Sequence, residues 1–442
     1  MVRVRFAPSP TGLLHVGNIR IAILNYLFAK KNRGSFVLRI DDTDKERSSK
    51  EYERMILEDL EWIGIQWDAL HRQSENIVQY NEAIEELKKQ GRVYPCYETK
   101  QELVLKKKIQ ISRGKSPVYD REALQLSKEE RKEREARGIR PHWRFRLNET
   151  QSIRWRDLVH GDISIPLDSV SDPVLIKSDG TFVYMFASVV DDINMDITHI
   201  IRGDDHITNT AAQIDIFTAL SGGYPKFAHV PLLLSFDGQD VSKRSESSLS
   251  IVNLRNAGAD PLAIWQLLAT LGTANDEHHS NDIKVLIDKF SFEKMSRSSP
   301  KFNPDDIMSL TKKIIATKSH KEAQQIIGKN ISEEFWDVIR MNLHSLKEVT
   351  FWEEVFFGKI TIIKEDETFL RQMIQTLQNP VDFHQWMQDL KQLSKKRGRD
   401  LFHPIRIALT GLEDGPELMK IVYLLGYDRV RSRLEENLRI RQ

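Results

Sequence analysis

The sequence predicts an α/β fold in which a parallel sheet is split by an α+β insertion and followed by an all-α C-terminal region. Near the N-terminus a strand-like run, a helix-like run and a second strand-like run succeed one another, which is typical of parallel strands joined by a crossover helix. This pattern breaks near residue 95 and resumes near residue 185. From about Asp260 onward the apolar residues recur only with helical periodicity.

The first strand-helix-strand unit lies in residues 2–40. In VRVRF the apolar side chains alternate with arginines, as they do in a half-buried strand. A turn rich in proline and glycine follows, and apolar residues from Ile19 onward recur at helical spacing until Gly34, which suits the end of a helix. FVLRI then predicts the second strand, so the segment is a βαβ unit.

Residues 91–184 interrupt this rhythm with a charged helical stretch, short strands such as HWRFRL and several turns. The α/β pattern returns with ITHIIRG, a helix after it and the strand HVPLLL. We therefore expect residues 1–90 and 185–240 to form one parallel sheet, with residues 91–184 as an inserted domain.

Composition excludes several classes of protein. A chain of 442 residues is too long to fold around a single hydrophobic core, so we expect about two to four domains. No apolar run approaches the roughly 18 residues of a membrane span and no apolar leader precedes the first strand, so we expect no membrane contact. Cys96 is the only cysteine, which excludes a disulfide framework, so we expect the protein in a reducing cytoplasm. The net charge is only +1, but Lys and Arg are in excess in residues 100–140 and 391–442, which is typical of solvated helix faces and also of proteins that follow a nucleic-acid backbone.

Two motifs predict a ligand site. RFAPSPTGLLHVGN (5–18) places a glycine-containing turn before a helix, where backbone can approach a phosphate and the helix adds about half a positive charge. His15 and Asn18 at the helix start could donate to phosphate oxygens. The motif is neither GxGxxG nor GxxxxGK[ST], which excludes the common dinucleotide and P-loop sites. FDGQDVSKRSESS (236–248) is a basic loop after a late strand, at the sheet edge where ligands bind.

Together these motifs resemble the two signatures of class I aminoacyl-tRNA synthetases. RFAPSPTGLLHVGN, FVLRIDDTDKERS, ITHIIRGDDHITNTAAQ and HPIRIALTGLEDGPEL resemble stretches of the bacterial glutamyl-tRNA synthetases, and the resemblance extends from Arg3 to about Leu434. It implies a split Rossmann-like catalytic domain (1–90 and 185–240), an inserted domain that binds the acceptor end of tRNA (91–184), a stem-contact domain (241–310) and a helical anticodon-binding region (311–442).

The resemblance also implies the reaction. L-Glutamate is activated with ATP to glutamyl-adenylate and then transferred to the 3′ end of tRNA(Glu), with tRNA(Gln) left open as a second substrate. The nucleotide carries Mg²⁺, and catalysis needs positioning and charge stabilisation rather than a nucleophilic side chain. The partners are then glutamate, ATP and tRNA, and the resemblance favours a monomer.

Site residues follow from the same resemblance. His15 and Lys243 are the implied catalytic residues. The residues implied for ATP are Pro10, Gly12, His15, Gly17, Asn18, Asp205, Ser242, Lys243 and Arg244. Those implied for glutamate are Arg5, Ser9, Asp41, Tyr184 and Arg202. Arg5 would bind the side-chain carboxylate, Arg202 the region of the α-carboxylate and Asp41 the ammonium group.

Three departures from the family pattern bear on this site. Asp41 stands where the family usually has glutamate, so the ammonium contact becomes shorter or moves to Asp42. Asp240 stands where the second signature usually begins with lysine, so Lys243 should carry the phosphate contacts of its loop. In the insertion Cys96 is the one remaining thiol of a zinc site found in some members, so we expect no zinc and no metal site.

Two alternatives remain open from the sequence. A glutamyl-queuosine tRNA synthetase would share the catalytic half but lack the helical end, so residues 300–442 count against it. A catalytically inactive RNA-binding paralogue is the other alternative. The retention of His15, Gly17 and Lys243 counts against that reading, and the loss of lysine at position 240 supports it.

Overall fold

The computed structural model describes residues 1–148, 150–235, 238, 249–274, 282–360 and 366–439. The chain divides into two compact units. The first comprises Met1–Leu254 and Ile264–Pro304, and the second Arg255–Ala263 and Asp305–Gln442. Within the described residues, none of the helices is both long enough and apolar enough to cross a membrane.

The described strands, in chain order, are short. They are β1 (Arg3–Phe6), β2 (Ser35–Ile40), β3 (Ala69–Arg72), β4 (Val93–Cys96), β5 (His142–Phe145), β6 (Ser152–Asp157), β7 (Gly161–Pro166), β8 (Val174–Ile176), β9 (His199–Gly203), β10 (Lys226–Val230), β11 (Leu234–Ser235) and β12 (Lys301–Phe302).

The described helices follow the same order. They are α1 (Val16–Lys31), α2 (Lys50–Ile63), α3 (Ile77–Lys89), α4 (Lys100–Ser112), α5 (Lys128–Ala136), α6 (Tyr184–Asn194), α7 (Ile207–Ser221), α8 (Ile251–Asn256), α9 (Pro261–Thr270), α10 (Ile283–Lys289), α11 (Pro304–Thr317), α12 (His320–Ile327), α13 (Glu333–Ile339), α14 (Val349–Phe357), α15 (Glu367–Thr376), α16 (Phe383–Ser394), α17 (Arg399–Thr410) and α18 (Leu418–Arg439).

The predicted βαβ unit is present as β1, α1 and β2. β1 pairs in parallel with β2, and β2 with β3, so the first sheet has the order β1-β2-β3. The helix is apolar on most of its surface because it lies under the sheet, and Ile19, Ile23 and Leu27 are fully buried. The parallel α/β architecture predicted from the sequence is therefore confirmed.

The prediction of one continuous sheet is wrong. β9 and β10 belong to a second sheet of order β7-β6-β10-β9, in which β6 and β7 come from the insertion. The sheets meet where the Thr198 amide donates to the Arg3 carbonyl over 2.9 Å. The Arg3 amide donates to the Thr198 hydroxyl over 2.8 Å rather than to a backbone carbonyl. The backbone hydrogen bonds between β1 and the chain beside β9 therefore do not continue along the strands. The rest of the inserted β structure is an antiparallel sheet of order β4-β5-β8.

Gly34 is required where α1 returns to the first sheet. The Ser35 amide donates to the Val2 carbonyl over 2.9 Å, and a Cβ atom on Gly34 would lie 2.3 Å from that carbonyl oxygen. We therefore expect Gly34→Ala to lower the free energy of unfolding by about 1–3 kcal/mol, as overpacking does. The matched control is Gly223→Ala, whose added Cβ meets no atom within 4 Å. Equal urea midpoints for the two variants would contradict the close approach at Val2.

The second unit is all-α in its described residues, as the sequence predicts. Its helices pack around an apolar core whose largest members include Phe335, Trp336, Phe356 and Trp386. The last helical segment, α18, is broken at Gly426, where φ is 68° and ψ is 173°. The second unit includes residues 311–442, predicted as a helical region, whereas residues 264–304, which also lie in the range of helical periodicity, belong to the first unit.

Candidate active site

A cleft of about 550 Å³ lies at the carboxyl ends of β1, β9 and β10. Its walls are formed by the turn after β1 and the first residues of α1, the end of β9 with the residues after it, and the segment that follows β10. In α/β proteins, ligands bind at this edge of the sheet. The two halves of the split α/β domain thus meet around one site.

His15 is the N-cap residue of α1. Its Nδ1 accepts a hydrogen bond from the Gly17 amide over 3.1 Å, while the Asn18 side-chain oxygen accepts the His15 amide over 3.2 Å. Because Nδ1 is an acceptor, the proton of the neutral ring is on Nε2, which makes Nε2 the donor toward an anion. The cap therefore fixes both the orientation and the tautomer of the ring.

Gly17 is needed for the placement of that ring. A Cβ atom at Gly17 would lie 2.9 Å from both Cε1 and Nδ1 of His15, so any larger residue would displace the imidazole. The first turn of α1 contains no acidic residue, which leaves the positive end of the helix dipole without a neutralising side chain there. The turn and helix start thus form a site suited to phosphate oxygens.

Arg202, at the end of β9, is a buried cation whose hydrogen-bond partners are neutral. Its Nη2 donates to the Thr210 hydroxyl over 2.6 Å and to the Gln213 side-chain oxygen over 2.7 Å, and its Nε lies 3.4 Å from His229 Nε2. Burial lowers the pKa of Arg202 from its ordinary value, and the Tyr184 hydroxyl opposes that effect. Among the described residues, no carboxylate oxygen pairs with this guanidinium.

Arg5 is also buried in the cleft wall, but it has a carboxylate partner. Its Nε and Nη2 donate to the two oxygens of Asp192 over 3.0 and 3.3 Å. Asp192 also accepts from Arg39, which in turn holds Asp41 with two hydrogen bonds of 2.6 and 3.1 Å. Burial raises the pKa of Asp41 to about 6, although the charge of Arg39 opposes this. Among the described residues, Arg5 is thus hydrogen-bonded to a carboxylate before any ligand binds, whereas Arg202 has neutral hydrogen-bond partners and only the more distant charge of Asp192.

The cleft brings together most of the site residues predicted from the sequence. Those that line it are Arg5, Ser9, Gly12, His15, Gly17, Asn18, Tyr184, Arg202 and Asp205. Pro10 and Asp41 are buried and do not line it, because the Pro10 carbonyl accepts the Ser49 amide and the Asp41 carboxylate is held by Arg39. The alternative ammonium contact, Asp42, accepts the amide and hydroxyl of Ser74.

Two lining residues were missed by the sequence reasoning. Arg20 reaches from α1 to the carbonyls of Pro231 and Leu271, over 2.6 and 3.0 Å. His206 follows Asp205 directly, and burial, followed by the charge of Arg202, lowers its pKa to about 4, so the ring is neutral. In the motif RGDDHITNT, His206 directly follows Asp205, and this position could have identified His206 as a residue of the cleft.

The second motif falls largely outside the described residues, including Asp240, Ser242, Lys243 and Arg244. The segment that follows it is described and joins the first motif. The Leu249 carbonyl accepts the Val16 amide over 3.2 Å, and the Ile251 amide donates to the Leu14 carbonyl over 2.9 Å. The described segment that begins at Leu249 therefore lies against the start of α1.

Cys96 lies in the insertion beside two other potential metal ligands, Glu98 and His142. Atoms of all three lie within 4.8 Å of one another, a mixed ligand set that counting thiols did not reveal. The Tyr119 hydroxyl donates to Glu98 over 2.6 Å and lies 3.5 Å from Cys96 Sγ. Arg144 Nε donates to His142 Nε2 over 3.3 Å, so a cationic side chain already contacts the set. These residues do not fit zinc well.

We expect the purified protein to contain no stoichiometric zinc. Burial raises the pKa of Cys96 to about 12, so the thiol is protonated in the metal-free protein, and the cationic Arg144 beside His142 disfavours a second cation there. Elemental analysis after dialysis against zinc and gel filtration is the measurement. About one zinc per chain, abolished by Cys96→Ser, would show that Cys96, Glu98 and His142 bind metal after all.

The comparison with protein families agrees with this architecture. The profile described as tRNA synthetases class I (E and Q), catalytic domain, matches residues 1–309, and an anticodon binding domain profile matches residues 331–438. With the cleft built from both halves of the α/β domain, these matches define a class I aminoacyl-tRNA synthetase.

Sequence relatives and a solved structure show which family within this class the chain belongs to. Glutamate–tRNA ligase 1 of Maricaulis maris is 43% identical over 442 residues, covering 98% of this chain and 99% of the relative. Glutamate–tRNA ligase 2 of Granulibacter bethesdensis is 43% identical, with 98% of both chains covered. The crystal structure of a glutamate tRNA ligase from Elizabethkingia meningosepticum in complex with its amino acid has a TM-score of 0.85 at 25% identity, covering 99% of both chains. The chain belongs to the glutamate–tRNA ligase family.

Proposed function

We propose that this protein joins L-glutamate to tRNA(Glu) in two steps, with ATP as the source of energy. The observation that carries the proposal is the buried Arg202 guanidinium in the cleft wall, whose hydrogen-bond partners among the described residues are all neutral. A carboxylate ligand would supply the missing charge partner. Family membership and the phosphate-binding geometry of α1 support the same reaction.

In the first step an oxygen of the glutamate α-carboxylate attacks the α-phosphorus of Mg²⁺-bound ATP. The P–O bond to the β-phosphate breaks, and pyrophosphate leaves with the electron pair, giving glutamyl-adenylate. His15 Nε2–H and the N-terminal amides of α1 would stabilise the phosphate charge that shifts during this displacement. The side chains act by holding the two reactants in line.

Glutamate recognition is assigned to the two arginines of the cleft wall. Arg5 and Arg202 lie on neighbouring strands, and both line the cleft with Tyr184. Planar guanidinium groups recognise carboxylates through two parallel hydrogen bonds. Since Asp192 already neutralises Arg5, we assign the larger part of the side-chain charge recognition to Arg202, in contrast to the assignment that the resemblance alone implies.

In the second step a hydroxyl of the terminal ribose of tRNA attacks the carbonyl carbon of glutamyl-adenylate. An ester bond forms, AMP leaves, and the hydroxyl proton is released. The insertion is suited to contact RNA phosphates, because α4 buries no side chain and carries four lysines against one glutamate. The anticodon binding domain profile in the second unit supports recognition of the opposite end of tRNA. We expect a monomer in the cytoplasm.

Pyrophosphate exchange and tRNA charging test the proposed function. We expect exchange with glutamate and not with glutamine, and glutamate attached to the 3′ end of tRNA(Glu); parallel charging of tRNA(Gln) determines whether it is also a substrate. Glutamate activation followed by modification of a tRNA base would instead indicate a glutamyl-queuosine tRNA synthetase. RNA binding without exchange, with or without tRNA, would indicate an inactive paralogue.

A further inference from the structure

We propose that His229 and Asp157 are positioning residues that fix the Arg202 guanidinium for the carboxylate of the bound amino acid. The proposal rests on the function proposed above and extends it to two side chains that do not line the cleft. Asp157 is the last residue of β6 and comes from the insertion, whereas His229 lies on β10 of the α/β domain.

Asp157 is held in one orientation by the backbone around it. Its Oδ1 accepts the amides of Val159 and His160 over 2.9 and 3.0 Å, and its carboxylate also accepts the His229 amide over 3.2 Å. Burial works against its ionisation, but the hydrogen bonds from His229, His160 and Val159 hold the pKa of Asp157 below its usual range. Asp157 is therefore a fixed, ionised acceptor with 2% of its surface exposed.

The ionised Asp157 sets the tautomer of His229. Its Oδ2 lies 2.6 Å from His229 Nδ1, so Nδ1 carries the proton and Nε2 is left as an acceptor. Burial lowers the pKa of His229, and the neutral ring is therefore the stable form. Arg202 Nε points at Nε2 over 3.4 Å, and arginine has only donors. If His229 Nε2 carried the proton instead, its N–H would face the N–H of Arg202 Nε, and no hydrogen bond could form between them.

Three groups then define the plane of the Arg202 guanidinium. His229 faces Nε, while Thr210 and Gln213 accept from Nη2, and the hydroxyl of Thr210 lies 2.8 Å from His229 Nε2. All three side chains are almost fully buried, with 1% or less of their surface exposed. Recognition of a carboxylate by arginine depends on the direction of the guanidinium plane. Loss of the Nε contact should therefore weaken glutamate binding without altering the phosphate site.

The first test is Asp157→Asn. An asparagine can keep its oxygen toward the amides of Val159 and His160, which places its NH₂ group against His229 Nδ1 and forces the proton to Nε2. We expect the KM for glutamate to rise about 10- to 100-fold, the range for a hydrogen bond to a charged group. The KM for ATP and kcat should stay within about twofold of wild type, as measured by pyrophosphate exchange with saturating tRNA.

The matched control is Asp215→Asn. Asp215 is 6% exposed, pairs with Arg92 over 2.8 Å and accepts the Asn148 amide over 3.2 Å, but it makes no hydrogen bond with Arg202. The two variants carry the same chemical change at buried aspartates of the first unit. We expect both to lower the unfolding temperature and only Asp157→Asn to raise the KM for glutamate.

A pair of His229 variants keeps the proposal testable if Asp157→Asn does not fold. His229→Gln places an oxygen near the position of Nε2, whereas His229→Asn places its polar group near Nδ1 only. We expect His229→Gln to keep the KM for glutamate near wild type, His229→Asn to raise it, and His229→Gln to restore it in the Asp157→Asn background.

The outcomes separate this proposal from the proposed function. A wild-type protein that exchanges no pyrophosphate with glutamate would overturn the function itself. An active wild type in which Asp157→Asn and Asp215→Asn give the same KM for glutamate would overturn the positioning role alone. The same conclusion would follow if His229→Gln and His229→Asn were indistinguishable.

Discussion

Replacing Arg202 by glutamine should lower kcat/KM for glutamate about 150- to 4,000-fold. The substitution leaves a substrate carboxylate desolvated in the cleft without its cation, and an uncompensated buried charge costs about 3–5 kcal/mol. By the same reasoning the wild-type enzyme should strongly prefer glutamate, because glutamine would leave the buried Arg202 charge unpaired. In the Arg202→Gln variant we expect kcat/KM for glutamate to fall while the low kcat/KM for glutamine stays nearly unchanged. The preference for glutamate is then lost.

Two further variants show whether this effect belongs to Arg202. Arg5→Gln should cost less, because Asp192 neutralises Arg5 and would still be paired with Arg39 in the variant. Arg433→Gln is the control for the cost of removing a buried arginine, since Arg433 is 6% exposed and donates to backbone carbonyls of the second unit. Pyrophosphate exchange with both amino acids is the measurement. A larger loss in Arg5→Gln than in Arg202→Gln would assign the side-chain carboxylate to Arg5.

The cleft could be predicted from the sequence because its residues lie in short local motifs. A turn with proline and glycine between a strand and a helix places His15 and Gly17 at the sheet edge in any parallel α/β fold. Arg5 and Arg202 end strands that the alternation of apolar residues already indicates. Their positions therefore follow from local patterns and from the parallel topology.

The partners of these residues could not be predicted, because they come from distant parts of the chain. Asp157 and His229 are 72 positions apart and meet only because a hairpin of the insertion pairs with β10. Arg39 and Asp41 are only two positions apart, but their spacing alone does not show that Arg39 holds the Asp41 carboxylate away from the cleft. The break between the two sheets depends on one hydroxyl, that of Thr198, accepting a backbone amide. Hydrogen bonds between side chains and groups far apart in the sequence leave no periodic pattern of residues.

Lys243 lies outside the described residues, but the segment that follows it in the chain is described. Leu249, six positions further along the chain, accepts the amide of Val16 in the first turn of α1. Six residues span at most about 20 Å, and the lysine side chain adds several more ångströms. The length of chain between Lys243 and Leu249 is therefore compatible with the predicted contact between Lys243 and a triphosphate bound at the start of α1. At position 240 an aspartate stands where the family usually has a second lysine, so it cannot contribute a positive charge.

We expect Lys243→Ala to lower the rate of glutamate activation about 30- to 1000-fold, which corresponds to about 2–4 kcal/mol of transition-state stabilisation lost with one preorganised donor of charge. The pyrophosphate leaving group gains negative charge as the P–O bond breaks, and Lys243 is the cation assigned to it.

Asp240→Lys should be neutral or faster than wild type, because it adds a cation and removes an anion from the same loop. The control is Lys284→Ala, an exposed lysine at the start of α10 outside the cleft. Single-turnover adenylate formation measures all three variants at saturating ATP and glutamate. If Lys243→Ala forms adenylate as fast as Lys284→Ala, pyrophosphate must be stabilised by other groups, and His15 with the N-terminus of α1 would be the first to test.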